Sequence, residues 1–179
     1  AVSYSNNNGS LSWSTDWIEN DSGGGGASGG KYFISGGLLN VGESSASKYI
    51  YREANLSSAS TATLSFDLVT NNLGGGGAIH AQVSSNGGST WTTLLAVTSG
   101  TATGTKSFDI SSYIASNTQI RFYDNNGGGK EILVDNVQIA VTTSLSGGTT
   151  AFSSDTDTAS MVVNPVADTP SVTNATTDE

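Results

Sequence analysis

Arg121 to Ile139 reads RFYDNNGGGKEILVDNVQI, two runs of strand-like character separated by a loop of Asn and Gly, and the reading of this stretch decides the fold. Counting by twos in the second run, Ile132 and Val134 point one way, and so do Val137 and Ile139. Successive strand residues face opposite sides of a sheet, so the two pairs share a face only if one extra residue is inserted near Asp135 and Asn136. The sequence therefore predicts two strands, a connecting loop and a bulge beside Asp135. A bulge next to a carboxylate and a loop of amides and free carbonyls suits a hard cation such as calcium, which takes about six to eight oxygen ligands. The same residues also suit a polar strand end with an ordinary solvated loop.

Working outward, the 179 residues suffice for one domain, or a domain plus a fragment, with a real core. Gly, Ser, Thr and Asn dominate and long helix-forming windows are missing, which favours the all-β class. Six Lys and Arg against fifteen Asp and Glu give a formal charge of −9. Phosphate backbones and anionic lipids are bound through clustered cations, so no nucleic acid partner and no membrane insertion are expected. Without cysteine the chain has neither disulfides nor thiolate metal sites, and calcium is an alternative staple for a secreted protein. No window approaches the roughly 20 apolar residues of a membrane span, and AVSYSNNNGS at the start is no signal peptide. The chain begins and ends as though cut from something longer, so any export signal could lie outside it.

In chain order, LSWSTDWIEND at 11–21 reads as a first strand ending in three oxygen-bearing residues, Glu19, Asn20 and Asp21. The SGGGGASGG that follows is either a flexible spacer or a loop whose backbone approaches something closely. Gly36-Gly37 between apolar runs signals a hairpin. A strand follows near Lys48 to Glu53, and in ATLSFDLV the residues Leu64, Phe66 and Leu68 face the core with Ser65 and Asp67 outward. Ile79, Ala81 and Val83 share a face, which turns Gln82 and the single histidine, His80, the other way; a lone His on a strand reads as a surface or cross-strand residue. Ser84, Asn86, Gly88, Thr90 and Trp91 resemble the Asp-box, a hairpin turn pinned by its own side chains, with Asn86 in the Asp position. The pattern occurs once, without the repeats of a sialidase propeller, and is read as a turn. Trp91, Thr93, Leu95 and Val97 are expected on one strand face.

If each strand from 31 to 139 runs antiparallel to the next, alternate connections lie at the same end of a sandwich. Connections 18–30, 42–47, 71–77, 98–104 and 125–130 then share one end, and turns 36–37, 55–61, 85–89 and 111–117 the other. The first end gathers Glu19, Asp21, Asp124, Asn126 and Glu131, with Asp135 a few residues below the rim, as candidate metal ligands. Carboxylates crowded together repel unless a cation sits among them. Asn71, Asn72, Gly75, Gly76, Asn125 and Gly128 are the candidate ligand contacts around that ion.

The character changes from Thr142. LSGGTTAFSSDTDTASMVVNPVADTP offers two short strands and then a linker stiffened by Pro165 and Pro170. The expected organisation is a ligand-binding β-sandwich at 1–141, two further strands at 142–167, and a linker at 168–179. DTDTASMVVNPVADTP is similar to the closing strand and junction of the immunoglobulin-like or cadherin-like repeats of giant bacterial adhesins. That resemblance implies linker calcium ligands at Asp155, Asp157 and Asp168.

WSTDWIE at 13–19, ATLSFDL at 62–68, VSSNGGSTWTTL at 83–94, SFDISSYIASNTQIRF at 107–122 and ILVDNVQI at 132–139 resemble the jelly-roll modules related to MAM and carbohydrate-binding domains. The fold implied is an antiparallel, jelly-roll-like β-sandwich. With the tail, the chain looks like the calcium-dependent peptide-binding domain of RTX adhesins, in which a peptide C-terminus meets bound calcium (Ca2+). That resemblance implies an extracellular cell-surface module, monomeric within a long chain, that adheres to a peptide or protein on a host or neighbouring cell and serves in biofilms. The alternatives are a carbohydrate-binding module for cell-surface sugars and a structural extender. A sugar platform needs exposed aromatics; Trp13, Trp17 and Trp91 are available, although each also fits a core face, which is the reading favoured. No catalysis is expected, because no carboxylate stands in an apolar context and one His without Cys supplies little nucleophile chemistry.

Overall fold

Strict alternation along ATLSFDL produces a two-sided strand: Ala62, Leu64, Phe66 and Leu68 are at most 1% exposed while Thr63, Ser65 and Asp67 stay accessible. The computed structural model describes residues 2–144 apart from 8, 22, 43–46, 75, 76 and 126–129, and only the backbone at 72 and 130. The chain divides into units 1–144 and 145–179, and the second lies outside the described residues.

The strands described are β1 (Ile18–Asn20), β2 (Tyr32–Ser35), β3 (Leu38–Gly42), β4 (Lys48–Ala54), β5 (Thr61–Leu73), β6 (Ile79–Ser84), β7 (Thr92–Val97), β8 (Gly104–Asp109), β9 (Thr118–Asp124) and β10 (Lys130–Thr142). They form two five-stranded sheets, β1-β4-β9-β6-β7 and β2-β3-β10-β5-β8. Every pairing is antiparallel. The fold is an all-β, jelly-roll-like sandwich. Inward residues of both sheets make one core, in which Trp17 meets Phe122 at a tilt and Phe122 meets Phe66 edge-on, with ring centroids 6.0 and 5.3 Å apart. Burying each such side chain stabilises the fold by roughly 1.5–3 kcal/mol.

The bulge expected in β10 is present. Asp135 lies opposite Asp67 and Gln138 opposite Ser65, so three steps on β10 match two on β5. Asn136 takes the left-handed φ of 51° there, a conformation Asn tolerates better than most residues. Its backbone N–H donates to Asp135 Oδ1 (2.8 Å) and its amide to Asp67 Oδ2 (2.7 Å). Ile132, Val134 and Ile139 are consequently all buried, with Val137 packed against the same core. The strand runs on to Thr142, one residue past the expected boundary.

Two expectations need correction. Residues 11–17 are not strand, and only Ile18–Asn20 pairs with β4. The cause is Arg52, which alternation turns to the inner face of β4, where it is 4% exposed. Its guanidinium lies over Trp13 and Trp17, 5.0 and 5.9 Å from the ring centroids. Nε donates to the Thr15 carbonyl (2.9 Å), Nη1 to Asn6 (3.0 Å) and Nη2 to Ser5 (3.2 Å), tying this segment down together with single backbone bonds from Ser14 N–H to the Glu53 carbonyl (2.8 Å) and from Trp17 N–H to the Tyr4 carbonyl (3.2 Å). The second correction is in β7. Ala81 pairs with Leu95 but Gln82 with Thr93, so Leu94 is an extra residue. A one-residue shift reverses which side the following residues face. Leu95 and Val97 therefore face inward, whereas Thr93 and Trp91 face out.

Candidate functional site

The outer face of the β1-β4-β9-β6-β7 sheet carries an aromatic and polar platform. Tyr49, Tyr51 and Glu53 alternate along β4 with the buried Ile50, Arg52 and Ala54. Gln119, Arg121 and Tyr123 alternate along β9 with Ile120, Phe122 and Asp124, and His80 and Gln82 alternate along β6 with Ile79, Ala81 and Val83. Directly paired residues on neighbouring strands share a face, and the register arranges these into three rows. One row is Tyr49, Tyr123 and His80; the next is Tyr51, Arg121 and Gln82; the third is Glu53, Gln119 and Ser84. Thr93 extends the middle row, and Ile18 and Asn20 of β1 finish the other edge.

Hydrogen bonds fix these side chains in place. Arg121 Nε donates to Gln82 Oε1 (2.7 Å), Gln82 Nε2 to Thr93 Oγ1 (2.9 Å), Gln119 Nε2 to Glu53 Oε2 (2.8 Å), and Asn20 Nδ2 to the Tyr49 hydroxyl (3.2 Å). The Arg121 guanidinium sits 4.0 Å from the centroid of Trp91, 4.6 Å from Tyr123 and 5.2 Å from Tyr49. Burial holds the pKa of Arg121 below its usual value, opposed by the nearby hydroxyls of Tyr123 and Tyr49. Burial also lowers the pKa of His80, helped by the charge of Arg121 and opposed by Asp124. Tyr49, Tyr51, Gly88, Trp91, Gln119 and Arg121 line a depression of about 170 Å³. That is smaller than the roughly 300–1,000 Å³ of enclosed small-molecule pockets; it is a dish on a sheet, open to a chain lying across it.

Trp91 reaches the platform from the turn that resembles an Asp-box. Asn86 Oδ1 accepts from the Ser84 hydroxyl (2.8 Å) and the Thr90 N–H (2.9 Å), and its amide donates to Thr90 Oγ1 (2.8 Å). The Ser84 hydroxyl in turn accepts from the Gly88 N–H (3.0 Å). Gly88 has φ 83°, and a Cβ there would stand 2.7 Å from Gln119 Oε1 and 3.2 Å from the Trp91 ring. Only glycine lets the turn close down on the platform.

At the loop pole, strand register agrees with the alternation of connections. Asp124 is level with Lys48 and Ile79, Glu131 with Gly42 and Asn72, Val97 with Ile79, and Gly104 with Leu68. Of the expected metal ligands, Glu19 lies in β1 and Asp21 directly follows that strand. Glu19 accepts from the Gly26 N–H (3.1 Å) and the Tyr4 hydroxyl (2.8 Å); Asp21 accepts from the N–H groups of Gly23 (3.1 Å), Gly24 (3.0 Å) and Lys31 (2.9 Å). Desolvation, followed by the hydrogen bond to Glu19 and the charges of Glu19 and Asp21, pushes the Tyr4 hydroxyl pKa up. Asp124 is buried on the inner side of β9. Glu131 accepts from the Asn71 amide. Asp135 stands apart, four residues along β10 from Glu131, beside a hollow of about 320 Å³ that it lines with Arg52, Trp17 and Gly37. Among the described residues no three Asp, Glu or His side chains converge as a metal site. Of the expected ligand contacts, Asn125 Oδ1 accepts from the Ala78 N–H (3.1 Å) and Asn71 is engaged as above, while Asn72 has only its backbone described. Gly75, Gly76, Asn126, Gly128, Asp155, Asp157 and Asp168 lie outside the described residues.

Trp17 is in the core and Trp13 packs against it, as favoured, but Trp91 is not a core residue. The tyrosines and Arg121 carry a signal the sequence reading passed over. In KYIYREA and TQIRFYD, Tyr49, Tyr51, Arg121 and Tyr123 occupy the positions opposite in parity to Ile50 and Phe122.

No protein-family model matches the chain, and no curated protein matches it. Among solved structures, the chain is similar to a CBM4 module, 19% identical over 71% of this chain and 87% of that one with a TM-score of 0.49. It is similar to a mutant of a carbohydrate-binding module of family 29, 17% identical over 70% and 82% with a TM-score of 0.48. It is also similar to the N-terminal cellulose-binding domain of Cellulomonas fimi β-1,4-glucanase C, 20% identical over 72% and 90% with a TM-score of 0.46. Similarity at this level does not carry a ligand from those proteins to this one.

Proposed function

We propose that the chain is a non-catalytic carbohydrate-binding module that holds a glycan chain across the outer face of the β1-β4-β9-β6-β7 sheet. One observation carries the reading: Tyr49, Tyr51, Trp91 and Tyr123 share a solvent-facing sheet surface with the fixed amides and guanidinium of Gln82, Gln119 and Arg121. A pyranose has apolar C–H faces and a rim of hydroxyls. The rings offer flat apolar surface for the faces; Arg121, Glu53 and His80 offer donors and acceptors for the rim, while the buried amides of Gln82 and Gln119 hold Arg121 and Glu53 in place. Because these groups are already oriented by one another, little side-chain entropy is lost on binding.

A screen of soluble and insoluble glycans beside free-C-terminus peptides tests the proposal. Glycan binding that is lost in Trp91→Ala and Tyr51→Ala supports it. Binding to peptides alone, or glycan binding indifferent to both substitutions, overturns it in favour of the peptide-capturing adhesin.

We propose calcium separately, at the loop pole. Its support is that strand ends from both sheets bring Glu19, Asp21, Asp124 and Glu131 to one end of the sandwich. An ion bound by Asp21 shares its carboxylate with three N–H donors, two on Oδ1 and one on Oδ2. A melting temperature equal in calcium and in chelator removes the ion from the account.

A further inference from the structure

Arg121 is at the centre of the platform, and its hydrogen bonding is incomplete. A guanidinium has five N–H donors in a planar fork. Here Nε is used by Gln82, and among the described residues the two terminal amino groups have no acceptor and no carboxylate partner. The group is flanked by Trp91, Tyr123 and Tyr49, so stacking fixes its plane while its outer edge stays open. Among the described residues it is also the only Lys or Arg projecting from the outer face of this sheet. Glu53 lies one row away, with its Oε2 accepting from Gln119.

A half-buried cation that has lost part of its hydration gains more from an anion than an exposed one does, and a planar fork matches a carboxylate with two parallel hydrogen bonds. Resting on the glycan reading above, we propose that the preferred ligand is an acidic sugar, a uronate whose carboxylate docks on the terminal amino groups of Arg121 while its ring lies against the neighbouring aromatics. A neutral sugar presents only hydroxyls there and leaves the charge uncompensated.

The test compares a panel of uronate oligosaccharides with their methyl esters, which keep the sugar and remove the charge, and adds a sulfated glycan. Titration calorimetry is run on the whole chain and on Arg121→Lys and Arg121→Met, each first checked for an unchanged melt; the lysine form keeps the charge where the methionine form does not fold. Because the chain carries −9, added salt screens a general repulsion as well as the contact, and the ester comparison avoids that ambiguity. The acid form is expected to bind about 10- to 100-fold more tightly than the ester, the range for hydrogen bonds to a charged group. The ratio should fall towards one in Arg121→Met and drop about tenfold in Arg121→Lys, which has no fork. Equal affinity for acid and ester, a ratio unchanged in the variants, or preference for the sulfated glycan overturns the proposal and leaves the platform reading intact. Binding of no glycan at all, charged or neutral, instead sinks the platform reading on which it rests.

Discussion

Replacing Arg52 with Met removes three N–H···O=C hydrogen bonds of 2.9, 3.0 and 3.2 Å that hold the carbonyls of Thr15, Asn6 and Ser5. Met keeps much of the apolar volume between Trp13 and Trp17, so the change isolates the polar part. Leaving a carbonyl without its donor costs about 1 kcal/mol or more, which sums to about 3 kcal/mol for the three. The cation–π contact adds about 1 kcal/mol. Against this, a cation only 4% exposed no longer has to be desolvated, and such relief often returns about 1–4 kcal/mol. The bonds should win narrowly, because water reaches only part of the N-terminal segment once it is released. The expected net loss is about 2 kcal/mol, which for a unit spanning 1–144 lowers Tm by about 6–8 °C. In urea it lowers the midpoint by about 1 M. Arg52→Lys should lose about as much, since one ammonium cannot reach three carbonyls set for a fork. A methionine variant as stable as the wild type, or more so, would refute the reasoning and mark the buried cation as a net liability.

Trp91→Ala should weaken glycan binding about tenfold or more by calorimetry while costing only about 1 kcal/mol of stability, because the ring is a half-buried cation–π partner and not core. Asn86→Ala removes three hydrogen bonds from the turn and should cost about 1–2 kcal/mol in urea. It should also weaken glycan binding through Trp91, and intact affinity would show that the turn does not position the ring. The Asp67 carboxyl pKa is held low by Thr105 and Asn136, and that of Asp109 by the Ser111 hydroxyl and backbone. A carboxylate whose folded pKa is depressed gives stability that is present above its unfolded pKa and lost as pH falls through the folded one. Tm should therefore drop below about pH 4, and drop less in Asp67→Asn/Asp109→Asn; an identical acid limb in that variant would remove these groups from the account. If the loop-pole calcium proposal holds, millimolar calcium raises Tm over a chelator control.

The bulge in β10 was legible because the apolar register breaks visibly between Val134 and Val137. The hairpin was legible too, since Gly36 and Gly37 supply the two positive φ values, 59° and 87°, that a tight connection needs. The β7 bulge was silent. In TTLLAV two leucines stand side by side, so alternation gives no sign of which one is extra, and Trp91 was placed on the wrong side. Arg52 was equally hidden, because a charged residue at an inward position is invisible until the carbonyls that receive it are brought near from residues 5, 6 and 15. For the site, acids and glycine runs draw attention in a sequence, while tyrosines alternating with buried residues read as ordinary strand. What makes the platform is the lateral register of β4, β9 and β6, and that information is not local to any of them.

Leu94 gives the margin of this face a tolerance for changes in length. Because Thr93 already stands opposite Gln82 and Leu95 opposite Ala81, loss of that one amino acid would restore even pairing between β6 and β7 and leave the indole outward, with the other rows of the face where they are. A lineage could thus gain or lose one codon at this sheet edge without turning the ring away from the recognition surface.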